Sequence, residues 1–198
     1  MPMDFNNAPE QRDFSVMDDG TIAVCQINIR PGNAGEGGWL KRSKNGDSMG
    51  LDIEFTVVGG TYDKRKFWSF WVLEGVTDGH QKAADISAGR IRAVLESARG
   101  VRPDDQSDEA KAARRLNDFS ELDGIRFIGK IGIERAEEGS RYKDKNVLDA
   151  AITPDRTAWT KVEQNLRSAT AVAAIGSTLG GAQPAFAGKT EKPKWATG

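Results

Sequence analysis

Three segments of this chain set flat aromatic rings among cations. Trp39 stands beside Lys41, Arg42 and Lys44; Lys64, Arg65 and Lys66 run into Phe67, Trp68, Phe70 and Trp71; and Arg135, Arg141, Tyr142, Lys143 and Lys145 share one polar stretch. The chemistry open to such a set is the handling of unpaired nucleotides: ammonium and guanidinium groups track phosphates, while exposed rings stack on bases at about 1–3 kcal/mol each. In an extended segment alternate residues share a face, which puts Lys64, Lys66, Trp68 and Phe70 on one side and Phe67, Ser69, Trp71 and Leu73 on the other. The cations mark the first side as the wet one, so Trp68 and Phe70 are the candidate stacking residues. Aromatic residues of a strand also serve as core or cross-strand packing, and for each ring of this segment both readings stand. Trp39, in a glycine-rich loop among cations, is read as a binding residue. Arg126 and Lys130 join the set from the outward face of a later strand. Asp52 and Glu54 oppose it, because they repel phosphate unless paired, and Arg126 or Lys130 are the expected partners.

Signals for other chemistry are sparse. Gly35, Gly37 and Gly38 lack the Lys-Ser/Thr ending and the strand-to-helix context of a phosphate-binding loop, and neither a Gly-Xaa-Ser-Xaa-Gly elbow nor a His-Glu-Xaa-Xaa-His helix occurs. His80, the single histidine, belongs to the start of a helix rather than to a catalytic or metal set. Asp104-Asp105 and Glu137-Glu138 read as solvated surface carboxylates. The expectation is a protein with no catalytic residues, no metal and no cofactor, and therefore not an enzyme.

The elements that must carry the rings and cations follow from periodicity. From Thr21 to Arg30, Ala23, Cys25, Ile27 and Ile29 alternate with Gln26, Asn28 and Arg30, the pattern of a half-buried strand. Pro31 to Ser48 is glycine-rich and aperiodic, which predicts a long mobile loop. Met49 to Val58 alternates strictly, with Leu51, Ile53, Phe55 and Val57 inward and Asp52, Glu54 and Thr56 outward. After a turn at Gly59-Gly60 and Tyr62-Asp63-Lys64, the aromatic run from Arg65 to Leu73 is a third strand. The period then changes: Ala84, Ala88, Ile91, Leu95 and Ala98 line one face of a helix over His80 to Ala98, with Asp78 as the expected N-cap and Gly100 just past the end. Val101 to Asp123 carries seven acidic against four basic side chains and reads as a surface excursion with a short helix through Glu109 to Leu116. Strands return at Gly124 to Glu134, with Ile125, Phe127, Ile131 and Ile133 inward, and at Asn146 to Ile152. Thr153-Pro154-Asp155 predicts a helix start, and Thr160 to Glu163 fits a capping box.

Composition bounds the rest. The chain has 198 residues, room for one ordinary domain with appendages, and 28 Lys+Arg against 29 Asp+Glu give a net charge of −1. Bulk electrostatics do not make it a basic nucleic-acid binder, so such a function must come from a local patch. A lone cysteine, Cys25, excludes an internal disulfide and points to a reducing, cytoplasmic compartment. The N-terminus lacks the basic and apolar regions of a signal peptide. The charge-free stretch Ser168 to Gly188 has 21 residues but too few large apolar ones to span a bilayer. The organisation expected is an acidic arm over 1–20, a domain over 21–153, a short helical extension over 154–167 and a flexible low-complexity tail over 168–198 that ends in cations around Trp195.

Three strands, a helix and two more strands, with the glycine-rich loop between strands 1 and 2 and a basic loop between strands 4 and 5, is the order of an OB-fold. The predicted fold class is mainly β: a five-stranded OB-fold-like Greek-key barrel with one helix between strands 3 and 4. The chain also resembles a family of small phage-encoded single-stranded DNA-binding proteins. The resemblance lies in Asp4-Phe5-Asn6-Asn7-Ala8 with Gln11, the Leu51-Asp52-Ile53-Glu54-Phe55 strand, Arg65-Lys66-Phe67-Trp68, the Leu122-Asp123-Gly124-Ile125-Arg126 entry to strand 4, and Asn146 opening strand 5; it covers roughly residues 1–160. It implies an OB-fold that coats or handles single-stranded DNA in replication or recombination, without catalytic residues, in the cytoplasm of a bacterial host. One departure is the tail, in which Lys189, Lys192 and Lys194 stand against Glu191 where bacterial-type single-strand binders commonly end in acidic residues. The partners implied are single-stranded DNA, with RNA a close variant, and replication or recombination proteins; no membrane is implied, and a dimer is compatible with the sequence. The competing expectation is a non-catalytic phage adaptor whose aromatic residues anchor a protein partner.

Overall fold

The computed structural model describes residue 7 and residues 15–165. The chain forms two compact units, Met1–Val162 and Glu163–Gly198, and of the second only residues 163–165, which are helical, are described. The expectations for the 168–198 tail, and for most of the arm before residue 15, lie outside the described residues. In chain order the elements are β1 (Thr21–Ile29), β2 (Lys41–Arg42), β3 (Ser48–Val58), β4 (Lys66–Gly75), α1 (Asp78–Arg99), α2 (Asp108–Ala113), β5 (Arg126–Glu134) and β6 (Lys145–Ala151), with 3-10 turns at Glu36–Gly38 and Phe119–Leu122.

The molecule is mainly β. Six strands form one antiparallel sheet in which β1 pairs with β3 on one edge and β5 on the other, β4 and the short β2 pair with β3, and β6 pairs with β5. The sheet is not closed: β4 and β6 run close to each other without a hydrogen-bonded ladder. Alternation in β3 sends Leu51, Ile53, Phe55 and Val57 into the core, where Phe55 stacks on Phe67 of β4 at 4.8 Å and meets Phe127 of β5 edge-on at 6.1 Å. Near its start β3 must bend, and the register against β4 shifts between Met49 and Gly50. Gly50 permits this because a Cβ there would lie 2.2 Å from the Trp71 carbonyl oxygen.

Residues 15–18, just before β1, have no regular secondary structure, yet residues 15–19 are bound tightly to the sheet. Met17 is fully buried, and its N–H and C=O bond the Asn146 side-chain amide at 2.8 and 3.0 Å. Arg65 donates to the Ser15 carbonyl, the Tyr62 hydroxyl donates to Asp18 at 2.7 Å, and Asp19 accepts the Ile133 N–H at 3.0 Å. These bonds draw the start of β4 and the start of β6 onto one strap.

α1 starts one residue earlier than capping chemistry suggested: Thr77, not Asp78, is the N-cap and accepts the His80 N–H at 3.2 Å. It ends at Gly100 in the left-handed conformation, φ 67°. The apolar stripe holds only in its second half, where Val94 and Leu95 are buried while Ala88 is exposed. Glu96, also buried, is held by Arg92 at 2.9 Å and Arg114 at 2.6 Å, and Arg114 further donates to the carbonyls of Arg102 and Asp105. The 101–123 excursion is therefore pinned to α1 by a buried ion pair. Its helix is α2, shorter than the one expected through Leu116.

Two further expectations are corrected. Residues 31–48 are ordered by a bridge between Ala34 and Leu40, by the buried Leu40 side chain and by β2, all non-local features that periodicity does not register. The helix after Pro154 runs from 157 to 165, so Thr160 lies inside it and caps nothing; Trp159 docks it by donating to the Ser97 carbonyl at 3.0 Å. No described helix is long and apolar enough to cross a membrane.

Candidate nucleic-acid interface

β4 sorts its rings by parity. Phe67 and Trp71 are 2% and 1% exposed, whereas Trp68 and Phe70 are 48% and 38% exposed on the outer face. The register sets Trp68 opposite Glu54, Phe70 opposite Asp52 and Lys66 opposite Thr56. Two residues along a strand place the exposed rings about 7 Å apart, twice the spacing of about 3.4 Å between bases stacked in a helix. Such rings suit successive bases of an extended, unstacked strand, and the paired bases of a duplex do not offer their faces.

The carboxylates on this face are neutralised, by different partners from those the sequence suggested. Asp52 accepts from Lys41 at 2.7 Å and from Arg30, and although burial pushes its carboxyl up, these two hydrogen bonds hold it below the usual range. Glu54 accepts from Lys66 at 2.6 Å and from the Trp68 indole N–H at 3.2 Å; the Lys66 bond is the larger cause of its lowered pKa. Arg126 instead donates to Gln26 at 3.0 Å, and Lys130 pairs with Asp149 at 2.7 Å. Arg30, Lys41, Lys66 and Arg126 thus outnumber Asp52 and Glu54, leaving the outer face locally positive. Arg126, Gln26, Asn28 and Thr56 form a hydrogen-bonded row beside the rings.

The flanking loops contribute unequally. Arg42 and Lys44 are exposed and form no ion pair among the described residues. In the 135–145 loop Tyr142 is 70% exposed with the Arg141 guanidinium 5.4 Å from its ring, Lys143 is exposed, and Arg135 and Lys145 pair with Asp144 and Glu134 at 2.7 and 2.8 Å. Trp39 lies elsewhere: half-buried and packed on the core, it lines a 580 Å³ cavity with Leu116 and Phe119 whose polar wall includes Glu36, Glu74 and Asp118. That wall is acidic, unlike the outer face of β3 and β4.

Lys64, at the tip of the β3–β4 turn with φ 64°, Arg65, Lys66 and Trp68 border a second cavity of 460 Å³ beside Lys145 and Asn146. Sequence reasoning singled out Lys64, Arg65 and Lys66 but missed Arg30 as an Asp52 partner, and Asn146 as part of the site. Arg30 was legible only as an outward strand residue; its pairing depends on the β1–β3 register. No family model matches this chain, and no curated protein matches it.

Proposed function

We propose that this chain is a sequence-tolerant single-stranded DNA-binding protein without catalytic activity, built on an OB-fold-like barrel and acting in phage or mobile-element replication or recombination. The observation that carries the reading is the outer face of β3 and β4: two exposed rings at extended-strand spacing inside a ring of cations whose local carboxylates are already paired. The neighbour order β4-β3-β1-β5-β6, with α1 inserted between β4 and β5, supports the OB topology, as does the approach of β4 to β6 where a five-stranded barrel closes. The replication or recombination setting rests only on the resemblance of short motifs such as Leu51-Asp52-Ile53-Glu54-Phe55 to phage single-strand binders. Stacking without base-edge contacts tolerates any sequence and discriminates little against RNA.

Fluorescence anisotropy with labelled oligonucleotides tests this. Unrelated single strands bind saturably at ~50 mM salt, and affinity falls steeply as salt rises. No binding at that salt, or preference for duplex, overturns it. A partner protein that stays bound after nuclease treatment, in the absence of oligonucleotide binding, identifies the adaptor instead.

A further inference from the structure

We infer that the cavity at the open seam between β4 and β6 is a nucleotide subsite, through which a bound single strand leaves the outer sheet face and crosses to the 135–145 loop. This rests on the single-strand reading above and adds the path of the strand. The cavity holds 460 Å³, within the range of about 300–1,000 Å³ typical of small-ligand sites. Lys64, Arg65, Lys66 and Lys145 contribute to its lining beside Ser15 and Val16, Trp68 forms one wall, and no carboxylate residue is among the described residues that line it. Such a lining suits one phosphate and one base. The Lys64 ammonium makes no ion pair among the described residues, while Lys145 is engaged only by Glu134 across an exposed pair at 2.8 Å. Exposed pairs of that kind are weak and yield readily to a phosphate.

Topology explains why the cavity is there. Among the described residues β4 pairs with β3 alone and β6 with β5 alone, so the edges that face each other across the seam have no described strand between them. Sheet edges of this kind form anion-binding concavities. Asn146, which lines the cavity, is fixed by hydrogen bonds between its side-chain amide and the backbone of buried Met17. Trp68 belongs both to the sheet face and to the cavity wall, and Tyr142 stands exposed on the loop that leads into Lys145. The route from Phe70 past Trp68 and Lys145 to Tyr142 is thereby lined by rings and cations in turn.

The test compares oligothymidylates of about four and about twelve nucleotides, near the ends of the site-size range of one OB-fold, on wild type and on the double variant Lys64→Gln with Lys145→Gln. Glutamine keeps most of each side-chain stem and removes the charge. The proposal expects the variant to bind the short oligomer as wild type does, to bind the long one more weakly, and to lose about 1.4 from the salt slope for the long one, about 0.7 for each lost phosphate contact. An unchanged slope, or equal weakening of both oligomers, overturns the path. Wild type that binds neither oligomer overturns the single-strand reading itself. Thermal melting of the variant within about a degree or two of wild type shows that the exposed Lys145–Glu134 pair was not holding the fold, and a larger drop in melting with no change in the slope assigns the two lysines to structure and also overturns the proposal.

Discussion

Glu54 holds the Lys66 ammonium that the proposed single strand would need for a phosphate. Its two oxygens accept from Lys66 and from the Trp68 indole, so the carboxylate orients the ring while competing for the cation. Glu54→Gln keeps the shape and removes the competitor; binding of a single strand should tighten, with the salt slope deepened by about 0.7 as Lys66 takes a phosphate. Anisotropy titrations over a range of salt check this, and an unchanged slope contradicts it. Both Asp52 and Glu54 titrate below their ordinary range in the folded chain. The stability they add is therefore present above the unfolded carboxyl range and fades as pH falls through the lowered folded values. Within that acid window the affinity of the wild type should rise toward that of Glu54→Gln. The rings separate just as cleanly. Trp68→Ala should lose about 1–3 kcal/mol of binding with its salt slope unchanged, whereas Trp71→Ala removes a buried indole and should cost about 3–5 kcal/mol of folding stability in chemical denaturation.

Strands whose two faces differ in chemistry were legible from sequence. β3 alternates apolar and polar without exception over its central residues, and β4 sets Lys66 on the side that proved wet. Elements fixed by distant partners were not. The loop over 31–48 owes its order to Leu40 in the core and to β2 against Met49 and Gly50, contacts that no local pattern encodes. For the same reason Trp39 read as a loop ring among cations, although it packs inward beside Phe119. The 101–123 excursion looked like a solvated charged stretch, yet Arg114 is bound to buried Glu96. Removing one partner of a buried pair leaves an uncompensated charge at a cost of about 3–5 kcal/mol. Arg114→Ala should accordingly lose about that much folding stability, while Lys111→Ala, which breaks an exposed pair with Asp108 in the same excursion, should lose less than about 1 kcal/mol. Equal losses in urea denaturation would show that the Arg114 pair does not fasten the excursion.

The distribution of charge over the whole chain matters more than its sum. Net charge is −1, but cations collect around the outer face of β3 and β4, whereas the 101–123 excursion carries seven acidic against four basic side chains. Such an arrangement would favour approach of a polyanion to the positive face over the acidic excursion. Strand order was readable in outline, since the alternation of periods gave the order of the long strands and the helix; the sixth strand and the open seam were not, because both depend on which edges pair. Of the four described tryptophans, Trp68 is the most exposed, which makes intrinsic fluorescence a direct probe of where a strand lies. Saturating oligothymidylate should quench the wild type strongly, and Trp68→Phe, which keeps a stacking ring but removes the reporter, should still bind while losing most of that quenching. Identical quenching in the two proteins would place the strand away from the outer face of β4 and contradict the account.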